Sequence, residues 1–318
     1  MGWINRAALM AGAMTSAYLG ASAALALRIS RRTRRMPVHD DPSSVGLPFM
    51  EISFNSRRDL TDPEHLLRGW LVLPKGVEVT PVERDTRWLV IVHGDGANRS
   101  DPQAGSMGLA KAMWDLGYGV LMFDLRGCGE SADADFTGGW TERLDVLGAL
   151  DHLVWLGADR TRIGVLGFSL GGVAATLACS TPGVAGAVIS DSAFSDFWSI
   201  IKVQTGMRAA VAKMVRPGLD LMLQMLVGYR LGDVSPEQHV SECDTPMLVI
   251  HGAQDDMVPI THARRLARAR GLSQSEIDEG DCDEFWIAPG AGHAQAFRTN
   301  PKGYVDRMAT FLDRHLAA

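Results

Sequence analysis

The sequence predicts an α/β fold in which a mostly parallel sheet is covered by helices on both faces. Short runs rich in Val, Ile or Leu alternate with longer segments of helical periodicity, and the runs typically end at Gly, Asp or His turns. Near-continuous apolar strands separated by amphipathic helices are typical of parallel sheets that are buried on both sides. The expected strands are Phe49–Phe54, Gly69–Leu73, Trp88–Val92, Gly119–Asp124, Ile163–Gly167, Ala185–Asp191, Met247–His251 and Glu284–Ile287.

These strands are expected to form one eight-stranded sheet, in which the first two are antiparallel. Doubly wound sheets bind their ligands at the carboxyl ends of the strands. We therefore expect the residues that carry the chemistry directly after the strands. Helices are expected around residues 104–116, 139–157, 170–180, 260–270 and 301–316.

The 318 residues are expected to form one large domain behind a distinct N-terminal segment. Residues 1–36 hold an apolar stretch followed by a basic collar. Residues 37–48 are rich in Pro, Ser and Asp, which is typical of a linker. The folded domain is expected over residues 49–318, and within it residues 192–246 are expected to form a helical cap insertion.

The apolar stretch Ala7–Leu27 contains no charged residue and is just long enough to span the hydrocarbon core of a membrane. Arg6 precedes it, and the arginines that follow it are Arg28, Arg31, Arg32, Arg34 and Arg35. Because positive charge collects on the cytoplasmic side, we expect an uncleaved single-pass anchor with the folded domain in the cytoplasm. The alternative is export after cleavage of a signal peptide, for which Ala21–Ala23 supplies small residues.

Charge and cysteine content limit the classes of partner. The net charge is −6, and the basic residues at the N-terminus leave the rest of the chain more acidic still, so we expect no nucleic-acid partner. The four cysteines lie far apart without a CxxC pair, which predicts free thiols and a reducing compartment. No HExxH, P-loop or Rossmann fingerprint occurs, and neither a metal nor a cofactor is expected. The sequence predicts no oligomeric state.

A nucleophile motif follows the strand Ile163–Gly167. The pentapeptide Gly167–Gly171 matches G-x-S-x-G, in which the serine sits on a tight turn between a strand and a helix. Glycines on either side of the serine avoid a clash at that turn, so that the hydroxyl projects above the sheet. Ser169 is therefore the expected nucleophile.

A general base is expected last in the chain order serine, acid, histidine. His293 follows the final strand in a glycine-rich loop that can bring its imidazole back over the sheet. Among the other histidines, His262 and His315 are expected on surface helices, and His93 and His251 are expected in loop-bracing turns. His293 is therefore the expected base.

The acid should follow a strand between these two residues. Asp255 and Asp256 are adjacent and come directly after the strand Met247–His251. Either carboxylate would hold the imidazole in its useful tautomer and stabilise the imidazolium. Asp191, at the end of its own strand, is a more distant alternative.

Ester or amide hydrolysis also needs donors for the tetrahedral oxyanion. The backbone amide of Leu170, directly after the nucleophile, is expected to be one of them. The amide of Asp95, in the turn after the strand Trp88–Val92, is expected to be the other. Only the backbone takes part, so the side chain at that position is partly free to vary.

The motifs HGDG, DLRGCGES, GFSLGG, HGAQDDMVP and PGAGH resemble those of the α/β-hydrolase superfamily and are in register over about residues 88–293. The sequence is particularly similar to bacterial membrane-anchored hydrolases related to prolyl-oligopeptidase catalytic domains and dienelactone hydrolases. The resemblance implies that the acid is the first aspartate of HGxxDxxVP, Asp255, and that Arg126 braces loops. Family members often have an uncharged residue where Asp95 stands here.

The cap insertion is rich in Met, Leu and aromatic residues. These residues either form an adaptable apolar wall for the substrate or pack the cap onto the domain. The prediction is a serine hydrolase that cleaves carboxylic esters or thioesters of moderately hydrophobic small molecules through an acyl-enzyme on Ser169. The alternatives are a serine peptidase or amidase acting on small peptides, and a catalytically silent binding protein on the same fold.

Overall fold

The computed structural model describes residues 3–31, 35–60, 62–77 and 85–317, so Arg32 and Arg34 of the predicted basic collar lie outside the described residues. The strands are β1 Met50–Asn55, β2 Leu66–Val72, β3 Trp88–Val92, β4 Gly119–Phe123, β5 Ile163–Phe168, β6 Ala187–Asp191, β7 Met247–Gly252, β8 Asp281–Cys282 and β9 Phe285–Ala288. The helices are α1 Trp3–Ser30, α2 Ser106–Asp115, α3 Glu142–Trp155, α4 Leu170–Ala178, α5 Phe197–Thr205, α6 Ala209–Leu226, α7 Pro236–Val240, α8 Thr261–Ala269, α9 Gln274–Glu279, α10 Ala296–Thr299 and α11 Pro301–His315.

The described strands form a single sheet in the order β1-β2-β4-β3-β5-β6-β7-β9-β8. The run from β4 to β9 is parallel, while β1, β2 and β8 pair antiparallel with their neighbours. The mostly parallel sheet predicted from the sequence is confirmed, but the expected count of eight strands is wrong. The ninth strand is the two-residue β8, which is too short to produce a hydrophobic pattern.

The core consists of two layers that follow the alternation of side chains along each strand. In β3, Val90 and Val92 belong to the layer with α3 and α4, whereas Leu89 and Ile91 belong to the layer with α2 and α11. All five residues of β3 are buried. Successive side chains of a strand point to opposite faces, so a continuous apolar strand requires helices on both sides. The loops that follow the parallel strands are thereby gathered at one edge of the sheet.

Two cysteines correct the expectation of free thiols. Cys179 at the end of α4 and Cys243 before β7 form a disulfide with a Cα–Cα distance of 5.5 Å. They lie 64 residues apart in the sequence, and only the packing of the cap against α4 brings them together, so no local spacing reveals the pair. Cys128 is buried and Cys282 is half-buried, and both retain thiol groups. The cysteines therefore give no support to a reducing compartment.

Helix α1 is only partly detached from the domain. Residues 6–17 are exposed, whereas the second half of the helix packs against α6. The Tyr18 hydroxyl donates to the carbonyl of Met214 and accepts from the amide of Gly218, each at 2.8 Å. A side chain at Gly218 would overlap Ser22 and Tyr18. Within the described residues, Arg6–Ser30 is long and apolar enough to cross a membrane. A signal sequence has a similar length and composition, so these two properties do not distinguish an anchor from a signal sequence.

The disulfide predicts a specific thiol count. Protein purified without reductant and unfolded in denaturant should show two thiols that react with a chromogenic reagent, and all four after reduction. Peptide mapping should place the bonded pair at Cys179 and Cys243. Four reactive thiols before reduction, in protein handled in air, would contradict the bond.

Candidate active site

Ser169 occupies the turn between β5 and α4 in a backbone conformation that is rare for a residue with a side chain. Its φ is 50° and its ψ is −113°. A Cβ on Gly167 would overlap the backbone of Gly171, and a Cβ on Gly171 would overlap the carbonyl of Val92 in β3. Glycine is therefore required at both positions, and the close approach of α4 to the sheet holds Ser169 in its strained conformation.

The structure brings His293 and Asp255 to Ser169 from two separate loops. The Nε2 atom of His293 lies 2.8 Å from the Ser169 Oγ atom. Its Nδ1 atom lies 2.8 Å from the Asp255 Oδ2 atom. His293 follows β9 and Asp255 follows β7, and both strands end at the same edge as β5. The result is an unbroken chain of hydrogen bonds from carboxylate to hydroxyl.

Asp255 is held by its other carboxylate oxygen. Its Oδ1 atom accepts from the amides of Met257 and Val258 at 3.0 and 2.8 Å. Burial raises the pKa of the Asp255 carboxyl, but hydrogen bonding and charge from His293 outweigh burial and keep this pKa below its ordinary value. The ionised carboxylate accepts from the Nδ1–H group, which leaves Nε2 free to accept the proton of Ser169. The neighbouring Asp256 is exposed and does not reach the imidazole.

Two further histidines brace the loops around the site. The Nδ1 atom of His93 lies 2.7 Å from the Gly94 carbonyl, and its Nε2 atom accepts from the Leu125 amide at 3.0 Å. The Nε2 atom of His251 lies 2.8 Å from the Val258 carbonyl. Burial lowers the pKa of His251, which favours the neutral ring. Both rings thus connect strand ends, as expected from the sequence.

The predicted oxyanion donors lie in the same cavity as the serine. Leu170 is the first residue of α4, and the amides in the first turn of a helix have no partner within the helix. The exposed Asp95 and its neighbour Gly94 line the cavity together with Ser169 and Leu170. The arrangement allows two backbone amides from different turns to approach one oxygen atom.

A hydrogen-bond network that the sequence did not indicate supports the loop of His293. The Ser192 hydroxyl donates to Asp191 at 2.9 Å and accepts from the amide of Ala294 at 3.0 Å. The Tyr304 hydroxyl donates to the other oxygen of Asp191 at 2.9 Å. Burial raises the pKa of Asp191 to about 6. Asp191 therefore supports the loop of His293 through Ser192. It does not contact the His293 imidazole, whereas Asp255 does.

The cavity above Ser169 has a volume of about 350 Å³ and combines an apolar wall with a polar wall. Phe194, Phe197 and Ile200 from the cap form the apolar wall together with Phe136. The polar wall comes from residues 94–103 and, unexpectedly, from residues 36–40. This segment begins the predicted linker, and Asn98 holds it by donating to the carbonyls of residues 36 and 37 at 3.2 and 2.9 Å.

Arg126 lies outside this cavity, and its side chain forms ion pairs that connect separate parts of the fold. It is buried, and its Nε atom donates to Asp145 at 2.8 Å. A second ion pair joins it to Asp62. Both contacts agree with the loop-bracing role expected for this residue. Within the described residues, no group of three or more His, Cys, Asp or Glu side chains could hold a metal ion.

Comparison with known proteins identifies the family. A family model described as the prolyl oligopeptidase family matches residues 106–318. The chain belongs to the prolyl oligopeptidase family. Its membership, together with the fold, makes the protein an α/β-hydrolase of the serine hydrolase type, as the motifs indicated.

Individual relatives agree with this assignment. The chain is 26% identical over 242 residues to the uncharacterized protein YqkD of Bacillus subtilis, with 75% of each chain covered. It is 25% identical over 226 residues to the lysophosphatidylserine lipase ABHD12 of Danio rerio, covering 65% of this chain and 56% of that protein. The structure of the Pyrococcus furiosus esterase Pf2001 superposes with a TM-score of 0.64 at 17% identity, covering 89% of this chain and 99% of that one. The superposition confirms the α/β-hydrolase fold.

In this member of the prolyl oligopeptidase family, a buried histidine anchors the cap. His262 is only 3% exposed, so the expectation of a surface residue is wrong. Its Nδ1 atom accepts from the amide of Ser195 at 3.1 Å, just before the cap helix α5. On the same helix, Arg265 pairs with Asp196 and Glu237. Helix α8 thus presents His262 to the base of the cap. The segment that covers His262 is distant in the sequence, so the pattern of residues within α8 does not predict that this side chain is buried.

The environment of His262 predicts a pH-dependent loss of stability. Burial lowers the pKa of His262 to about 4, from an ordinary value of 6.5. The unfolded chain therefore binds more protons than the folded one between these values. The stabilisation is complete above pH 6.5 and is lost as the pH falls towards 4. At pH 5 the loss amounts to about 2 kcal/mol of the free energy of unfolding.

Urea unfolding of wild type and His262→Gln at pH 7.5 and pH 5 measures this effect. The glutamine retains a side-chain acceptor but does not titrate. The decrease in the free energy of unfolding between the two pH values should be smaller in the variant by about 2 kcal/mol. Equal decreases in the two proteins would show that His262 does not cause the pH dependence.

Proposed function

We propose that this protein hydrolyses carboxylic esters and thioesters of moderately hydrophobic substrates, with Ser169, His293 and Asp255 as its catalytic triad. The observation that carries the proposal is the hydrogen-bond chain Asp255–His293–Ser169, with 2.8 Å at each step, at the floor of a cavity with an apolar wall. Nucleophile, base and orienting acid within hydrogen-bond reach are the requirements of acyl transfer.

The reaction would proceed in two steps. In the first, the Ser169 Oγ atom attacks the ester carbonyl while Nε2 of His293 takes the hydroxyl proton, and Asp255 stabilises the imidazolium. The amides of Leu170 and Asp95 donate to the oxyanion of the tetrahedral intermediate. The imidazolium then gives its proton to the leaving alcohol or thiol, and an acyl-enzyme remains. In the second step, a water molecule loses a proton to His293 and attacks the acyl group. The imidazolium then gives that proton to the Ser169 Oγ atom as the bond to the acyl group breaks, and the carboxylic acid leaves.

Ester substrates are favoured by the apolar wall and by the relatives. Phe136, Phe194, Phe197 and Ile200 offer an aliphatic chain no polar partner, which suits an acyl group better than a peptide backbone with its amides and carbonyls. Two of the similar proteins are a lipase and an esterase by name. The second candidate is a peptidase or amidase, since the family takes its name from an oligopeptidase.

We further propose that α1 holds the domain at a membrane. Residues 3–17 of the helix extend for about 22 Å at 1.5 Å per residue, which is shorter than a hydrocarbon core of about 30 Å. The rest of α1 packs on α6, whose exposed side chains include Met214, Leu221 and Met225 next to basic residues. An amphipathic basic helix of this kind suits a membrane interface. A spanning α1 would therefore place α6 at the lipid surface.

Substitutions in the proposed triad test the function. With p-nitrophenyl butyrate, Ser169→Ala should lower kcat/KM by about 10⁵-fold and abolish labelling by a fluorophosphonate. Asp255→Asn should lower it by about 10⁴-fold, because the imidazole loses its orienting acceptor. Asp256→Asn is the matched control and should change kcat/KM by no more than about twofold, since the side chain is exposed.

The same preparations distinguish the candidate activities. Folded wild type that hydrolyses no ester and does not react with the fluorophosphonate would refute the triad and favour a binding protein. Faster turnover of aminoacyl anilides than of esters of matched acyl size would replace the esterase proposal with a peptidase. A larger effect of Asp256→Asn than of Asp255→Asn would reassign the acid.

Reporter fusions test the side of the membrane. Because five arginines follow the apolar stretch and one precedes it, a reporter fused after residue 36 should be active in the cytoplasm. Alkaline phosphatase at that position should be inactive, and a fluorescent protein should fluoresce. Active alkaline phosphatase would overturn this orientation and would agree with the Cys179–Cys243 disulfide, which is typical of oxidising compartments.

A further inference from the structure

A second apolar cavity lies between helix α1 and the cap. Its volume is about 400 Å³, close to that of the cavity above Ser169. Leu25 and Ile29 of α1 form one side, and Ile201 of α5 and Met207 form the other. Arg28 and Thr205 stand at its exposed rim. An apolar cavity of this size, open to one side, has the character of a binding site for an aliphatic group.

The two cavities share a wall. Phe136, Phe197 and Gln204 line both of them. On α5, consecutive residues face the two spaces, since Ile200 lines the catalytic cavity and Ile201 lines the second one. The rings of Phe136 and Phe197 meet edge to face with centroids 5.8 Å apart. These two rings and one amide side chain therefore form a wall that is common to the second cavity and the space above Ser169.

The dividing wall packs on a glycine at Phe197. Its ring lies against Gly138, where a Cβ atom would come within 2.9 Å of the ring. Gly138 has a φ of 70°, in the region that favours glycine. The Phe197 ring therefore packs directly on the backbone of residue 138, and joining the two cavities requires the Phe197 side chain to rotate.

Helix α1 is a fixed part of the second cavity. The amide of Phe136 donates to the carbonyl of Ser30, the last residue of α1, at 2.8 Å. Ala26 is completely buried between the two cavity-lining residues Leu25 and Ile29. The end of α1 thus positions the dividing wall, and the helix that is apolar enough to enter a membrane borders the opening of the cavity.

We propose that the second cavity is an acyl-chain subsite for substrates drawn from a lipid surface. The ester carbonyl lies at Ser169, the chain passes between Phe136 and Phe197, and its distal methylenes occupy the space between α1 and α5. This inference rests on the proposed esterase function and specifies its substrate class as long-chain acyl esters. A role for α1 beyond tethering follows, because the helix supplies one side of the subsite.

The test compares chain-length preference in variants of the α1 side. Full-length protein in phosphatidylcholine vesicles is assayed with p-nitrophenyl laurate and p-nitrophenyl butyrate, and the readout is the ratio of the two kcat/KM values. Leu25→Trp fills the subsite and should lower this ratio about tenfold, because each excluded methylene weakens binding by about fourfold. Ala24→Trp, on the exposed side of the same helix turn, is the matched control and should keep the wild-type ratio.

A second variant should shift the chain-length preference in the opposite direction, towards longer acyl chains. Leu25→Ala enlarges the subsite and should move the preferred substrate from laurate towards palmitate. Unlike Leu25→Trp, this variant does not require the fold to accept a larger side chain. If both Leu25 variants hydrolyse esters with the wild-type ratio, the subsite is refuted while the esterase function stands. If wild type hydrolyses no ester of any length, the proposed function fails first. An equal decrease in Leu25→Trp and Ala24→Trp would assign the effect to α1 insertion and would also refute the subsite.

Discussion

The parallel strands end at a common edge of the sheet, and the position of every residue in the candidate active site depends on this arrangement. Ser169 and His293 are 124 residues apart and His293 and Asp255 are 38 residues apart, yet their side chains are within hydrogen-bond distance. Each follows a different strand, and register between β5, β6, β7 and β9 sets the separation of their loops. Because both faces of the sheet are buried by helices, the strand ends are the surface at which polar side chains can gather.

Backbone strain is concentrated at this edge. Among the described residues other than glycine, positive φ values occur at Ser169, Ser192 and Ala294. Ser169 carries the hydroxyl, Ala294 follows His293, and Ser192 joins the two loops through the Ala294 amide. Such conformations persist only where the surroundings hold them. Here the close packing of α4 on β3 and the buried Asp191–Tyr304 pair provide that support.

The N-terminal region takes part in the site in two ways. Residues 36–40 form part of the polar wall of the catalytic cavity, and the end of α1 borders the second cavity. The contacts of Tyr18 with α6 attach the same helix to the cap. The proposed attachment to a membrane and the shaping of both cavities therefore involve one continuous segment. Loss of that segment would alter the walls of both cavities.

The features that depend on local stereochemistry can be predicted from the sequence alone. Glycines around Ser169 require a tight strand–helix turn, and apolar strands separated by amphipathic helices require a sheet covered on both faces. Chain order then singled out His293, and the structure brings it to Ser169. The choice between Asp255 and Asp256 was not local, since it depends on which carboxylate faces an imidazole that lies 38 residues away.

The features that join distant segments become visible only in the folded protein. The Cys179–Cys243 bond, the burial of His262 under the cap, the packing of α1 on α6 and the contribution of residues 36–40 to the cavity leave no local pattern. Each arises because two segments that are distant in the sequence meet in the folded structure. Hydrophobic periodicity reports which face of an element is buried, but it does not report which partner covers that face.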